Sequence, residues 1–458
     1  MDDLNGEGFF MPKPTGSRSM KRFLILWSGQ LLSSVGSGLT AFALGVYAFE
    51  KTGTASSVAL ITLLAFLPSI LLRPVGGMLA DRHDRRLLMA AGDAGAALSI
   101  GFMLLMLRSG ADGLWPIHAG VTAASVFSAV LAPAYKASAT DLLGEEQYAK
   151  GSGLMQLAES ARFLLSPVIA GLLLSAFSIE TVLLANIGTY IAAVVSVLAV
   201  RRRMNRADKA ERAGGPHAER GPAGGFRAMP ADLAEGWRVI AANRGVAVLI
   251  WIISLVTFFI GFLQALIGPM MLPFTDARTL GVVQSAGAVG MLASSILIGA
   301  AGLRGRYVEA LAAGLAVTGL SMAFMGATVR VPFITASAFL FLAALPFVNA
   351  AADVLVRKNI PNDKQGRAWG LIGVLSQLGF AAAYGVAGPL ADRVFNPMLL
   401  EGGLLASTAG RWIGTGPGRG IGLMFVLAGL CVAALALRIP GLRTVRALAR
   451  REAETEPA

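Results

Sequence analysis

A dense run of charge reads Gly76-Gly77-Met78-Leu79-Ala80-Asp81-Arg82-His83-Asp84-Arg85-Arg86, with six ionisable side chains in its last six positions. Long apolar runs flank the charged turn on both sides, at 57–80 and 87–107. Each run is long enough to cross a bilayer as a helix. The charged turn is therefore expected in water just outside the membrane, and its three arginines predict the cytoplasmic side.

The composition is that of a polytopic membrane protein. Of the 458 residues, 55% are hydrophobic and 14% are charged, whereas a typical soluble protein is about 25% charged. The single cysteine, Cys431, excludes an intramolecular disulfide. The three histidines (His83, His118 and His217) lie far apart in the sequence, so we expect no metal site and no cofactor.

Twelve apolar runs follow one another along the chain. Helices are the expected state for each of them, because unpaired backbone groups in lipid cost several kcal/mol. The first run is too long for the apolar core of a cleavable signal peptide. The runs are 23–48, 57–80, 87–107, 114–135, 152–177, 181–200, 247–272, 279–302, 307–328, 332–356, 368–391 and 420–438.

The distribution of basic residues predicts the orientation. With the N-terminus inside, 30 of the 39 Lys and Arg residues fall on the cytoplasmic side and 7 on the outside. This bias predicts a multi-pass protein with both termini cytoplasmic and an even number of spans. We expect the membrane to be a bacterial inner membrane. The net charge of +12 does not indicate a nucleic-acid partner, because the basic residues lie in short loops between apolar runs.

A basic segment, 201–245, divides the first six spans from the last six. Apolar residues recur at helical spacing near its end and favour an amphipathic helix on the inner membrane surface, although a plain basic linker is the alternative. The predicted organisation is a cytoplasmic tail (1–20), a six-helix bundle (21–200), the linker (201–245), a second six-helix bundle (246–440) and a second tail (441–458).

The charged turn resembles the loop 2–3 signature of the major facilitator superfamily, G-x-L-a-D-r-x-G-r-R. Asp84 stands where the family usually has glycine, and the positions that match it are Gly77, Asp81, Arg82, Arg85 and Arg86. The resemblance implies the major facilitator fold, an all-α integral membrane protein with twelve transmembrane helices in two pseudo-symmetric halves of six. It also implies that these matching residues form a gate: a network of charged groups that binds the other half and holds the cytoplasmic side closed. The alternative is that the arginines only fix the topology.

Other stretches resemble the branch of that family that includes macrolide efflux proteins and enterobactin exporters. They are 232–238, 281–291, 366–367, 388–392, 396–397 and 416–422. This resemblance implies a secondary active exporter of small hydrophobic or amphipathic compounds (drug, macrolide or siderophore-like) that works by alternating access and proton antiport. Span 4 lacks R-x-x-x-G and span 5 has Ser166 where antiporters usually have the first glycine of G-P-x-x-G-G. Proton coupling is thus an expectation from the branch and not from a motif.

A short pattern recurs in the two halves. Gly77-Met-Leu-Ala-Asp81-Arg82 closes span 2 on the inside, and Gly388-Pro-Leu-Ala-Asp392-Arg393 closes span 11 on the outside. Inverted repeats would relate these two positions. Chance recurrence of a short pattern is the other interpretation.

Charges inside spans are costly and mark candidate functional positions. Glu159 and Arg162 lie three residues apart in span 5, so Glu159 is either a protonatable acid beside a cation or half of a permanent salt bridge. Asp353 and Arg357 in span 10 admit the same two interpretations, with the structural one favoured.

Two further charges lie close to the charged turn. Arg73, one turn before it, is expected to snorkel toward the cytoplasmic face. Asp93, two turns into span 3, is expected to pair with Arg73 or Arg86.

Uncharged polar residues in spans 1, 7 and 10 are candidates for lining a central cavity, because spans 1, 4, 7 and 10 line the pathway in this family. They are Gln30, Ser34, Ser37, Gln264 and Asn349. The alternative is hydrogen bonding between helices, worth about 0.6 kcal/mol per contact.

Other functions of such a chain find less support. The same fold also performs uptake or the movement of lysolipids between leaflets. A membrane enzyme would need clustered nucleophiles, metal ligands or a phosphate-binding loop, and the sequence has no H-E-x-x-H and no G-x-x-x-x-G-K-[ST]. We therefore expect no catalytic residues, a small-molecule substrate, the lipid bilayer and a proton as partners, and a monomeric chain.

Overall fold

The structure is a computed structural model that describes residues 19–211, 237–238, 244–303, 305–360 and 365–442. The described residues form helices, with no β-strand among them. The helices are α1 (Met20–Thr52), α2 (Ala55–Leu71), α3 (Arg73–Arg82), α4 (Arg85–Arg108), α5 (Trp115–Leu142), α6 (Tyr148–Ala176), α7 (Ile179–Glu211), α8 (Arg244–Met271), α9 (Ala277–Ala301), α10 (Tyr307–Ala327), α11 (Val331–Asn359), α12 (Gln365–Leu390), α13 (Asn396–Leu399), α14 (Ala409–Ile413) and α15 (Arg419–Arg438).

Twelve predicted crossings are confirmed when one bent pair is counted as a single span. Eleven helices in the described part of the chain are long and apolar enough to cross a membrane, and α2 with α3 forms a further span bent by 44°. The bend follows from Pro74, at the start of α3, because proline lacks the N–H that would continue the hydrogen-bond ladder. The uninterrupted span predicted over 57–80 is thus two helices.

We call α1–α7 the N-half and α8–α15 the C-half. The motif end is the end of the bundle where the charged turn joins α3 to α4, and the far end is the opposite one, where α1 meets α2. The predicted linker helix lies outside the described residues apart from Trp237 and Arg238, which are helical. The predicted domain boundaries remain predictions.

The buried core is divided differently at the two ends. At the far end one apolar cluster contains residues of both halves, such as Val46 and Ala59 of the N-half with Phe262 and Met270 of the C-half. At the motif end the N-half and the C-half have separate clusters, one around Phe23 and the other within 246–439. The two halves are therefore packed together at the far end.

Small residues let α10 and α15 pack with their backbones in contact. A Cβ on Gly429 would lie within 2.5 Å of the backbone of Gly319 and Ala323. Such small-residue interfaces replace the hydrophobic driving force that is absent between helices in lipid.

We expect Gly429→Ala to lower the unfolding free energy by about 1–3 kcal/mol, because overpacking at a backbone contact forces the helices apart. The matched control is Gly299→Ala in α9, where a Cβ has open space, so this variant should be neutral or slightly stabilising. Thermal unfolding in detergent measures both. Equal stability of the two variants would contradict the packing account.

Candidate functional site

A buried polar cluster lies inside the N-half, and we call it the Asp93 cluster (Gln30, Ser33, Ser37, Asp93 and Tyr190). The Asp93 side chain of α4 is 0% exposed. Its carboxylate accepts hydrogen bonds from Gln30 Nε2 at 2.7 Å and Ser33 Oγ at 3.1 Å, both on α1. Ser37 Oγ donates to the Ser33 carbonyl at 2.8 Å and shares a 2.9 Å hydrogen bond with the Tyr190 hydroxyl of α7. The cluster thus joins three helices around one carboxylate.

The predicted pairing of Asp93 with Arg73 or Arg86 is wrong. Asp93 faces α1, where neutral side chains meet it. Arg73 is exposed on α3, and Arg86 lies seven residues before Asp93, about 10 Å along the helix, close to Asp141 of α5. Within the described residues no Lys or Arg forms an ion pair with Asp93.

The chemistry of the Asp93 cluster suits a group that exchanges a proton. A buried carboxylate with no cation is costly to keep charged, and its hydrogen bonds offset only part of that cost. The Ser33 hydroxyl donates to the carboxylate in the present arrangement, and by rotating it can accept a hydrogen bond from the protonated acid. The cluster therefore has partners for both the charged and the neutral form of Asp93.

The predicted Glu159–Arg162 ion pair is not formed in this structure. Arg162 lies against Gly38 of α1 and acts electrostatically on Tyr190 of α7. Glu159 is exposed and acts instead on the phenol of Tyr135 in α5. Two side chains three residues apart share a helix face, but here they turn toward different neighbouring helices.

The Asp353–Arg357 pair is formed, with 2.9 Å between Arg357 Nε and Asp353 Oδ2. The side chains are 63% (Arg357) and 40% (Asp353) exposed, so the protein does not enclose this pair. Whether any of these charges takes part in coupling remains a prediction.

The predicted cavity residues fall into two groups. Gln264 and Asn349 in the C-half are exposed at mid-helix, and Gln264 Oε1 accepts a 2.6 Å hydrogen bond from the Tyr384 hydroxyl of α12. Ser34 and Ser37 in α1 are half-buried, and Gln30 is only 7% exposed because it contacts Asp93. Their role as cavity lining stays a prediction.

Aromatic rings join the two halves beside Gln264. Phe66 of α2 lies edge-on to Tyr384, with 5.3 Å between ring centroids, and 5.8 Å from Phe380. Edge-to-face pairs of this kind contribute about 0.5–1.5 kcal/mol beyond burial. An apolar, aromatic surface with uncharged polar groups thus spans the junction of the halves.

The charged turn is held by contacts within the N-half. Arg85 Nη1 donates to Asp141 Oδ1 at 2.8 Å, and Arg86 Nη2 lies 3.8 Å from Asp141 Oδ2. Arg201 of α7 donates to Asp84 Oδ2 at 2.7 Å. All of these partners belong to α4, α5 and α7 or to the turn itself.

Asp84, at the position where the family usually has glycine, caps the N-terminus of α4 by accepting from the backbone N–H of Arg86 at 3.0 Å. Its φ of −60° requires no glycine. Partial burial raises the pKa of Asp84, but hydrogen bonds from Arg201 and from the Arg86 backbone outweigh it and hold that pKa below its usual range. Aspartate at this position therefore stabilises the turn by capping α4 and by forming an ion pair with Arg201.

The predicted gate residues do not bridge the halves in this structure. Asp81 and Arg82 are exposed, and neither forms an ion pair with the described residues of the C-half. Gly77 has open space around its Cβ position, whereas the neighbouring Gly76 lies against the Ala129 carbonyl of α5. The reason is that the halves meet at the far end, away from the charged turn.

Sequence reasoning missed Ser33, Tyr190 and Asp141. Ser33 was detectable, because Gln30, Ser33 and Ser37 recur at helical spacing on one face of α1. Tyr190 and Asp141 carried no such pattern. No group of three or more His, Cys, Asp or Glu side chains suited to a metal ion lies in the part of the chain that the structure describes.

Comparison with known proteins agrees with this architecture. The model of the family described as Major Facilitator Superfamily matches residues 26–384. Macrolide efflux protein A of Streptococcus pyogenes is 25% identical over 385 residues, which cover 81% of this chain and 90% of that protein.

Solved structures of transporters share the fold. The nucleoside transporter NupG superposes with a TM-score of 0.63 at 12% identity, covering 93% of this chain and 100% of that one. A bacterial homologue of the human lysosomal transporter Spinster, in an inward-facing and unoccupied conformation, superposes with a TM-score of 0.63 at 14% identity, covering 96% of this chain and 100% of that one.

Proposed function

Because this chain belongs to the major facilitator superfamily, we propose that it is a secondary active exporter that moves small hydrophobic or amphipathic compounds by alternating access in exchange for protons. The observation that carries the proposal is the division of the buried core. The halves share one apolar cluster at the far end and have separate clusters at the motif end. A bundle of this kind can admit a compound at the motif end while the far end is held closed.

The orientation follows from the charge bias. Most Lys and Arg residues belong to the motif end, which the positive-inside rule assigns to the cytoplasm. The structure then corresponds to a state open to the cytoplasm, ready to accept cargo for export. The protein lies in a bacterial cell membrane with both termini in the cytoplasm, acts as a monomer and binds no nucleic acid.

The substrate class follows from the junction between the halves. Phe66 and Phe380 are partly buried rings at the junction that pack against the buried Tyr384, and the exposed Gln264 offers an uncharged polar side chain beside them. Apolar lining with a few polar groups is the usual makeup of a small-molecule site. The name of the relative, a macrolide efflux protein, is consistent with large amphipathic cargo.

Asp93 is the residue that we assign to proton exchange. Of the candidate charges it is fully buried, and its described contacts are neutral donors. Glu159 is exposed and the Asp353 side chain is 40% exposed, so neither carboxylate is enclosed by hydrogen-bond donors as Asp93 is, and burial in protein penalises their charged forms less.

A transport assay tests the proposal. Cells with and without the protein are loaded with a labelled macrolide and with a panel of uncharged and cationic amphipathic compounds, and retention is followed with and without a protonophore. We expect lower retention of at least one amphipathic compound in cells with the protein, and loss of that difference on adding the protonophore. Higher retention in cells with the protein would indicate uptake and overturn the proposal.

A further inference from the structure

The two halves are hydrogen-bonded to each other at the far end through Asp392. Its carboxylate accepts from the backbone N–H of Ala55 at 3.0 Å and of Ser56 at 2.8 Å, through a different oxygen for each. Asp392 belongs to the C-half, whereas Ala55 and Ser56 begin α2 of the N-half. One side chain therefore bonds the first turn of a helix in the opposite half.

The two hydrogen bonds satisfy backbone N–H donors in the first turn of α2. The first N–H groups of a helix have no partner within it, and Thr54, which precedes α2, makes no capping hydrogen bond with its side chain. A carboxylate at this position also interacts favourably with the positive end of the helix dipole. The C-half thus supplies the N-terminal cap that α2 lacks.

Two backbone features bring Asp392 to the start of α2: a π-helical turn and a close approach at Gly388. Residues Ala391–Phe395 form a π-helical turn, which carries Asp392 past the end of α12. One turn earlier, Gly388 lies so close to Ser56 that a Cβ would meet the Ser56 backbone nitrogen at 2.9 Å. The helices α12 and α2 therefore touch at backbone distance beside the two hydrogen bonds.

We propose that Asp392 is a latch of the outer gate. It holds the far end closed by capping α2 across the junction, and both hydrogen bonds break when the far end opens. The proposal rests on the alternating access proposed above, but its test requires neither a substrate nor proton coupling.

The charged turn at the motif end has the same pattern, a glycine four residues before an aspartate, but there the aspartate is exposed. Gly77 precedes Asp81 by four residues, as Gly388 precedes Asp392. Gly388 and Asp392 contact α2, whereas Gly77 has open space and Asp81 is exposed. The copy with Gly388 and Asp392 contacts the opposite half where the halves meet. The copy with Gly77 and Asp81 forms no hydrogen bond or ion pair with the opposite half among the described residues.

A second far-end aspartate provides a matched control. Asp276 caps α9 by accepting from the Thr279 N–H at 2.8 Å, so donor and acceptor both belong to the C-half. Hydrogen bonding to the side chain and the backbone N–H of Thr279 holds the pKa of Asp276 below its usual range. Loss of this cap should cost a hydrogen bond within the C-half and remove none that crosses the junction of the halves.

The experiment measures access to the shared far-end core from outside. In a Cys431→Ser background, Val46→Cys places a thiol in that buried cluster. A membrane-impermeant maleimide is added to the outer face of cells or oriented vesicles, and the labelling rate is compared after adding Asp392→Ala, Asp392→Asn or Asp276→Ala.

We expect Asp392→Ala to raise the labelling rate about tenfold, as loss of a good N-cap shifts an equilibrium by that order. Asp392→Asn, which keeps an acceptor oxygen without the charge, should fall between the alanine variant and the parent, and Asp276→Ala should label at the parent rate. An unchanged rate in Asp392→Ala overturns the latch. An equal rise in Asp276→Ala also overturns it, because the effect would then be a general loss of a helix cap. A cooperative thermal transition above the assay temperature establishes that each variant is folded.

Discussion

Asparagine in place of Asp93 is expected to abolish proton-driven export while leaving the protein folded and able to exchange substrate down a gradient. Asparagine is close in shape to a protonated aspartate. Its side-chain oxygen can accept from Gln30 Nε2, and its NH2 group can donate to the Ser33 hydroxyl, which rotates to accept. Asparagine carries no exchangeable charge. We expect at least about a tenfold fall in uphill export, which corresponds to about 1.4 kcal/mol.

The measurement compares two assays on the same variant in proteoliposomes. Uphill export is driven by an imposed proton gradient, and exchange of substrate down its own gradient is followed without a proton gradient. The matched controls are Glu159→Gln and Asp353→Asn, because each removes from a span a carboxylate that is much less buried than Asp93. If Asp93→Asn still responds to the proton gradient, or if Glu159→Gln loses the response, coupling belongs to another residue.

Asparagine in place of Asp81 is expected to give the second large effect. We propose that Asp81 engages the C-half only when the motif end closes, as Asp392 engages α2 at the far end in the present structure. Removing the charge should leave the present state intact and destabilise the other one. Turnover should fall about tenfold or more, about 1.4 kcal/mol, with expression and substrate binding largely unchanged.

Asp84→Asn is the matched control for Asp81→Asn. Asp84 belongs to the same charged turn, but its partners, Arg86 and Arg201, lie in the N-half. Turnover and equilibrium binding of substrate are measured for both variants. Wild-type turnover in Asp81→Asn would remove Asp81 from the gate, and an equal loss in Asp84→Asn would assign the effect to the general charge of the turn.

The sequence was sufficient to predict the helices and their number. Apolar runs of span length have one viable structure in lipid, and the twelve runs correspond to the observed crossings. The bend between α2 and α3 was not predicted, although Pro74 was visible, because hydropathy measures the length of a run and not its straightness. The linker segment 201–245, near whose end an amphipathic helix is predicted, lies largely outside the described residues.

Side-chain partners were less predictable than helices. Gln30 and Asp93 are 63 positions apart, and their contact depends on how α1 and α4 are rotated about their axes. The same limit applied to Glu159 and Arg162, which share a face yet turn toward different helices. Asp392 was noticed as part of a recurring pattern, but its contact with α2 depends on the π-helical turn and on the conformational state.

The central claim, that the halves join at one end while they separate at the other, is tested most directly by two distances measured in the same protein. Spin labels at Lys51 and Leu404 report on the far end, and labels at Lys136 and Arg357 report on the motif end; all four side chains are exposed. Pulsed electron spin resonance measures each pair before and during turnover. The account predicts that the far-end distance lengthens in the population in which the motif-end distance shortens. Two distances that stay fixed, or that lengthen together, would contradict it.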